Sequence, residues 1–406
     1  MQGARLTRRQ ESAQKGNKLS SSNGQQKEAT SIRVEKGEAT ESAILMTLTT
    51  NGLAAGTQEA NENESSSSSV GQKEEKPTEI DVPHWIESVA FLTDGEHIVS
   101  GGYEGKIRRW QVKDGKEVGT PMDAGSIVWS FAVSRDGKWI VSGTRGGQVR
   151  MWNAESHEKV NGFKGHDSSV YAVDVSPDGT KIATGSYDET ACVWSLSTGQ
   201  RLLGPFEHRN WVIAIKFSPD GRLIATATLG RKSVRIYDSQ DGRLIVDFPV
   251  GLVESFKNQS LAWVSDSKQL FALSHDGHIH RLDVSTHATL FKWPIHGNNR
   301  PGCISLASNG TFIAASDYSS VSFWDTVAHK QIGSVIHHAA RVESMAISAN
   351  YDLVTGAGKK IILWNLLDIL PCSYFDDVSA SASKVRDDGL FITNHFIDGS
   401  YSKSGV

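Results

Sequence analysis

Gly165–Ser195 reads GHDSSVYAVDVSPDGTKIATGSYDETACVWS. Two short β-rich runs, VYAVDV and KIATGS, flank a Pro-Asp-Gly turn, and a third run, TACVW, follows. An Asp-Gly turn between alternating apolar runs is a strong local hairpin signal, because glycine accepts the positive φ that such turns need. Working outward, the end of the third run recurs as Trp110-Gln111, Trp152-Asn153, Trp194-Ser195, Tyr237-Asp238, Leu282-Asp283, Trp324-Asp325 and Trp364-Asn365. The intervals are 42, 42, 43, 45, 42 and 40 residues. The hairpin turn keeps phase with them: TDG at Thr93–Gly95, RDG at Arg135–Gly137, PDG at Pro177–Gly179 and Pro219–Gly221, SDS at Ser265–Ser267 and SNG at Ser308–Gly310. The seventh unit has ANYD at Ala349–Asp352 instead.

A near-constant period of this length marks a repeat architecture. Each unit holds about four short antiparallel strands, and one such sheet cannot shield both of its faces. Packing the sheets radially buries those faces and closes the ring. The expected fold is therefore all-β, a seven-bladed propeller over residues 77–375. Two questions stay open at this stage. Pro77–Val82 or Ile369–Phe375 could supply the outer strand of the last blade. Lys384–Asn394, KVRDDGLFITN, resembles the start of an eighth unit within a C-terminal extension, 376–406.

Residues 1–76 differ in kind. They are rich in Ser, Gln, Glu and Asn, include the run Ser65–Ser69, and lack a sustained apolar period. Such a segment buries too little surface to offset its ordering entropy, so it is expected to be a disordered tail. Ala43–Leu48, AILMTL, is its one apolar cluster.

Bulk properties narrow the function. With 42 basic against 46 acidic residues, the formal net charge is −4, which gives no general attraction to nucleic acid or anionic membranes. Cys192, Cys303 and Cys372 are an odd number and widely spaced, so neither a disulfide framework nor a zinc site is expected. The basic N-terminus lacks the apolar core of a secretory signal, and no apolar run approaches the roughly 20 residues that span a bilayer. The expected address is the cytoplasm or nucleus.

The stretch at 165–195 resembles the WD40-repeat family, and individual units look most like those of fungal WD40 arrays. The resemblance implies a hydrogen-bonded network within a blade, made by a His, a Ser/Thr, an Asp and a Trp; His166, Ser186, Asp188 and Trp194 match those places. The other units depart from the pattern: Glu104 and Gly146 stand at the Asp place of the first two, and Leu282 replaces the fifth Trp. The full network is thus expected in one blade. His166, Ser186 and Asp188 are read as structural, because their repeat positions account for them without a catalytic role. No H-E-x-x-H or phosphate-loop spacing occurs, and no cofactor, metal or enzymatic activity is expected.

The resemblance also implies a partner-binding face, with three places per blade. Two flank the apolar residue that begins the inner strand, and one precedes the Asp of the network. From those places we select Trp85, Glu87, Tyr103, Trp129, Arg145, Tyr171, Tyr187 and Trp211 in the first four units, and Lys257, His275, Arg300, Arg341 and Glu343 in the last three. Trp, Tyr and Arg dominate interface hot spots because they bury large area and keep a polar handle. The expected function is a non-catalytic scaffold for proteins or peptides, acidic or modified segments among them. A reader of phosphorylated or methylated peptides and an RNA-associated assembly factor are the alternatives. Trp139, Trp263 and Trp293 fall outside these places and are assigned to packing.

Overall fold

The structure is a computed structural model and describes residues 77–229, 234–250, 259–274, 276–295 and 301–375. The expected disorder of 1–76, the segment Ala43–Leu48, the C-terminal extension with Lys384–Asn394, and the site residues Lys257, His275 and Arg300 lie outside the described residues.

Among the described residues, 28 strands form seven four-stranded antiparallel sheets. Blades 1 to 6 cover 86–123, 128–164, 170–207, 212–248, 261–294 and 301–337, each with its strands in sequence order from the centre outward. Blade 7 takes Val342–Ile347, Asp352–Ala357 and Lys360–Asn365, and its outer strand is Thr78–Asp81. Thr78 pairs with Leu363 and Asp81 with Lys360, so the N-terminal strand closes the ring. Ile80 is its buried residue, packed with Val354, Ile361 and Leu363.

Ile369–Phe375 is not the closing strand. Leu366–Asp368 and Cys372–Tyr374 are single 3-10 turns, and they strap blade 6 to blade 7. The Tyr374 hydroxyl donates to Asp325 Oδ2 at 2.7 Å, Asn309 Nδ2 donates to the Tyr374 carbonyl at 2.9 Å, and Phe375 packs on Tyr351 with ring centroids 4.8 Å apart.

One contact recurs at the blade seams. The fifth residue of the second strand is Gly101, Gly143, Gly185 and Gly356 in blades 1, 2, 3 and 7. A Cβ at these glycines would stand 3.1, 2.5, 2.6 and 2.8 Å from a side-chain methyl of Val128, Val170, Val212 and Ile86, the first residue of the next blade's inner strand. The glycine is therefore a seat for a β-branched side chain of the neighbouring blade. The seam between blades 7 and 1 uses the same seat, which makes closure another repeat of the ordinary packing.

The inner strands are sheet edges facing a central channel of about 470 Å³. Their N–H groups need acceptors, and the neighbouring blades supply several. Val89 donates to Ser344 Oγ (2.9 Å), Val173 to Ser130 Oγ (3.3 Å), Phe217 to Asp174 Oδ2 (2.8 Å) and Ile347 to Ser305 Oγ (3.2 Å). A belt of side-chain acceptors thus ties blade to blade around the channel.

The seam makes a direct prediction. Gly185→Ala places a methyl 2.6 Å from Val212 Cγ1 and 3.0 Å from the Val212 carbonyl oxygen. It should destabilise the propeller by about 1–3 kcal/mol, the usual cost of overpacking. Gly179→Ala tests a turn instead, since its Cβ would meet nothing within 4 Å and only the φ of 69° opposes it. Denaturant midpoints should fall further for Gly185→Ala.

Candidate functional site: the rim where the inner strands begin

The inner strands of blades 1, 2, 3, 4 and 7 start with a β-bulge. In blade 1, Ile86 pairs with Gly102 and Ser88 with Gly101, which leaves Glu87 as the extra residue. The same skip leaves out Trp129 in blade 2, Tyr171 in blade 3, Ile213 in blade 4 and Glu343 in blade 7. A bulge inserts one unpaired residue and re-aims its side chain. A backbone bond then holds the second-to-third-strand turn against the strand start. Tyr103 donates to the Trp85 carbonyl (3.0 Å), Arg145 to Ile127 (2.9 Å), Tyr187 to Ser169 (2.9 Å) and Leu229 to Trp211 (3.0 Å). The described members of the selected set therefore share one end of the blades.

Five of them form a continuous row of rings across four blades. Tyr103 meets Trp129 edge-on with centroids 5.9 Å apart, and Trp129 meets Tyr171 at 5.3 Å. Tyr171 lies 6.0 Å from Tyr187, which stacks on Trp211 at 4.0 Å and 27°. Tyr103 is 51% and Tyr187 39% exposed, whereas Tyr171 is only 7% exposed. This corrects the expectation for Tyr171: its ring is the floor of the row rather than a contact surface. Burial foremost, then the Tyr187 phenol, raises its pKa, while Arg145 pulls the other way. Trp85 is 51% exposed and stands apart from the row, near Gly358 of blade 7.

Charge frames the row. Arg145 is exposed at the blade 2 turn. Arg341 Nε lies 3.7 Å from Glu343 Oε1, and its guanidinium sits 6.0 Å from the Tyr318 ring centre. Glu87, Trp129 and Glu343 also line the channel, with the Lys216–Asp174 pair (3.1 Å) deeper in its wall. Sequence reasoning missed this wall. Trp263 belongs to it as well as to the packing, donating its indole N–H to the Lys216 carbonyl at 3.2 Å. Trp139 is half-buried against the blade 2–3 core, and Trp293 is buried and stacked on His329 at 4.5 Å.

The polar network of blade 3 needs one correction. Thr184, not Ser186, joins its ends. Trp194 Nε1 donates to Thr184 Oγ1 at 2.8 Å, His166 Nε2 lies 2.7 Å from that oxygen, and His166 Nδ1 faces Asp188 Oδ2 at 3.0 Å. Ser186 instead pins the turn, donating to the Ser169 carbonyl (2.9 Å) and accepting from the Asp188 N–H (3.1 Å). Burial works to raise the Asp188 carboxyl, but His166, the Thr190 hydroxyl and the Asp167 N–H hold it well below the usual carboxylate range. A Ser or Thr nine or ten residues before the Trp was the available signal. Ser100–Trp110 (2.8 Å), Ser142–Trp152 (3.4 Å) and Thr355–Trp364 (3.4 Å) repeat the link.

His208 and His338 occupy the His place of blades 4 and 7, yet both ring nitrogens of each are buried without a hydrogen-bond partner. Burial, then the Arg235 charge, pushes His208 down to about 3, and burial, then the neighbouring His337, pushes His338 to about 4. Among the described residues, no group of three or more His, Cys, Asp or Glu is placed to hold a metal ion, and no helix is long and apolar enough to cross a membrane.

Two predictions follow from these groups. Thr184→Ala strands two buried partners and should cost about 1–3 kcal/mol. Ser186→Ala, which removes a turn contact, should cost less in the same urea titration. The histidines set an acid limb. An unfolded His titrates near 6.5, whereas folded His208 stays neutral down to about 3. Its stability contribution is therefore complete above about pH 6.5 and is lost as pH falls toward 3. His208→Phe should shrink the stability difference between pH 7 and pH 4.5 by about 2 kcal/mol.

The sequence matches the WD40 family (WD domain, G-beta repeat) over residues 77–111, 115–153, 157–195 and 200–238. No curated protein matches the chain at a significant level. Each matched segment runs from the outer strand of one blade through the first three strands of the next. WD40 propellers serve generally as platforms for protein or peptide partners. With four repeats matched in sequence and seven sheets closed by the N-terminal strand, the chain is a seven-bladed WD40-type β-propeller whose residues 77–238 carry the matched repeats.

Proposed function

We propose that this propeller is a non-catalytic platform that holds a protein or peptide partner across the rim of blades 1 to 4, in the cytoplasm or nucleus. The observation that carries the reading is the five-ring row from Tyr103 to Trp211. Rigid aromatics present large area at low entropic cost, and their polar atoms tolerate water until a partner covers them. The His166–Asp188 pair is committed to Thr184 and Trp194, which leaves it no role as a base.

A flat interface is favoured over a methyl-lysine cage. Centroid spacings of 5.3 and 5.9 Å put the rings of Trp129, Tyr171 and Tyr103 in direct contact, with no slot between their faces. An acidic or phosphorylated segment remains compatible through Arg145 and Arg341, which could form charge-assisted bonds with it. The likeness of single units to fungal WD40 arrays fits the platform reading and names no partner. RNA is disfavoured by the net charge of −4.

The test compares full-length chain with a Tyr103→Ala/Tyr187→Ala/Trp211→Ala variant as baits in native lysate, followed by binding assays with each purified partner. The expected result is a partner whose affinity drops at least about 100-fold in the variant, as loss of central hot spots would give, with an unchanged melting curve. A partner bound equally by both baits refutes the assigned face.

A further inference from the structure

An asparagine followed by glycine is chemically labile, because a glycine has no Cβ to shield its backbone nitrogen from the side-chain amide before it. The chain has four such pairs: Asn23-Gly24, Asn51-Gly52, Asn161-Gly162 and Asn309-Gly310. The first two lie outside the described residues. The structure holds the other two in opposite ways.

Asn161-Gly162 lies in the outer strand of blade 2, Lys159–Lys164, with Asn161 opposite Met151 and Gly162 opposite Arg150. Just beyond the strand, Gly165 donates its N–H inward to the Gly147 carbonyl at 3.0 Å. Amides that face the neighbouring strand alternate along an antiparallel pair. Phe163 and Asn161 therefore also face inward, and the Gly162 N–H points to the open edge. There it donates to Asn161 Oδ1 at 2.7 Å. The contact sets the glycine nitrogen against the side-chain carbonyl that it would attack, and Gly162 itself is exposed to water. Lys159 Cε stands 3.4 Å from the place a Gly162 Cβ would take, which brings its ammonium group close to the same peptide. Positive charge there favours the deprotonated amide and the oxyanion formed on addition.

Asn309-Gly310, in the turn of blade 6, is the counter-case. The Gly310 N–H donates to the Ala307 carbonyl at 2.9 Å. Asn309 Oδ1 accepts from the Thr311 N–H (3.1 Å) and hydroxyl (2.8 Å), and its Nδ2 donates to the Tyr374 carbonyl (2.9 Å). Nucleophile and electrophile are both committed elsewhere.

We propose that Asn161 is a self-modifying site at which the folded chain converts its own asparagine to aspartate and isoaspartate. The Gly162 nitrogen gives its proton to solvent hydroxide and attacks Asn161 Cγ. The N–Cγ bond forms, the Cγ–Nδ2 bond breaks, and ammonia leaves with a proton from water, giving a cyclic imide. Water then opens the ring at either carbonyl. The product carries a carboxylate beside Lys159, and the isoaspartate form also adds a methylene to the backbone of the outer strand. Asn161 Nδ2 lies 3.4 Å from the place a Gly199 Cβ would take, so the change falls where blade 2 meets the third-to-fourth-strand turn of blade 3. The rim is composed of other residues, so this chemistry is independent of partner binding.

The test holds the full-length chain in mildly alkaline buffer, native and in urea, and follows amide-to-acid conversion of each asparagine by peptide mass spectrometry. In the native chain, Asn161 should convert within about 10-fold of its rate in urea, whereas Asn309 should be slowed at least about 100-fold, the cost of misplaced reacting groups. Conversion at Asn161 should rise with pH and yield isoaspartate as well as aspartate. Gly162→Ala should slow it at least about 10-fold by crowding the attacking nitrogen. The new methyl meets nothing closer than 3.4 Å and the φ of Gly162 lies outside the left-handed region, so this variant should keep the melting curve of the parent. Lys159→Gln should slow conversion by a smaller factor. Native-state suppression of Asn161 as strong as that of Asn309 overturns the proposal, and so does a loss indifferent to Gly162→Ala.

Discussion

A glycine on the second strand of one blade and a β-branched residue at the start of the next blade's inner strand fit together at four of the seams. That steric fit sets how close two sheets come, and close packing is where most of the stabilisation of a repeat array lies. It also fixes the position of the residue that follows. Val128, Val170 and Val212 are held in their seats, so the bulge residues Trp129, Tyr171 and Ile213 are placed at a set height on the rim. The aromatic row is thus a consequence of the seam and the bulge acting together, and rigid placement is what an interface anchor requires.

Polar networks play a secondary part. Among the described residues, only blade 3 has the complete His166–Asp188–Thr184–Trp194 chain. In blades 4 and 7 the histidine is kept while its ring nitrogens have no partner, and stacking takes over: His338 lies on Trp364 at 5.6 Å and His208 meets Tyr237 edge-on. Blade 6 finds a local substitute, with Trp324 donating to Ser322 on its own strand. These blades hold together because apolar burial does not depend on completing the network, and each unpartnered ring adds acid sensitivity instead.

Much of this was legible in the sequence, for identifiable reasons. The period of 40–45 residues and the in-phase turns specify seven four-stranded units. Trp129, Tyr187 and Trp211 could be placed on one rim because strand starts and second turns share an end of each blade. Ser186, the residue at the repeat's Ser/Thr place, and Thr184 stand two residues apart on the same strand and so share a face. Which of them reaches Trp194 depends on depth, which spacing alone does not report. The burial of Tyr171 comes from rings on both neighbouring blades, a nonlocal effect. Ring closure stayed open because Thr78–Asp81 has a single inward residue, Ile80, too weak a pattern to separate from a chance apolar residue.

The central claim is that the bulged starts of the inner strands in blades 1 to 4 are the working surface. Hydrogen–deuterium exchange of the full chain with and without a captured partner addresses it most directly. The account predicts slowed exchange at Glu87, Trp129, Tyr171 and Ile213 and in the turns at Tyr103 and Tyr187. Slowing confined to the Asp-Gly turns at the opposite end, or to the outer strands, would contradict it.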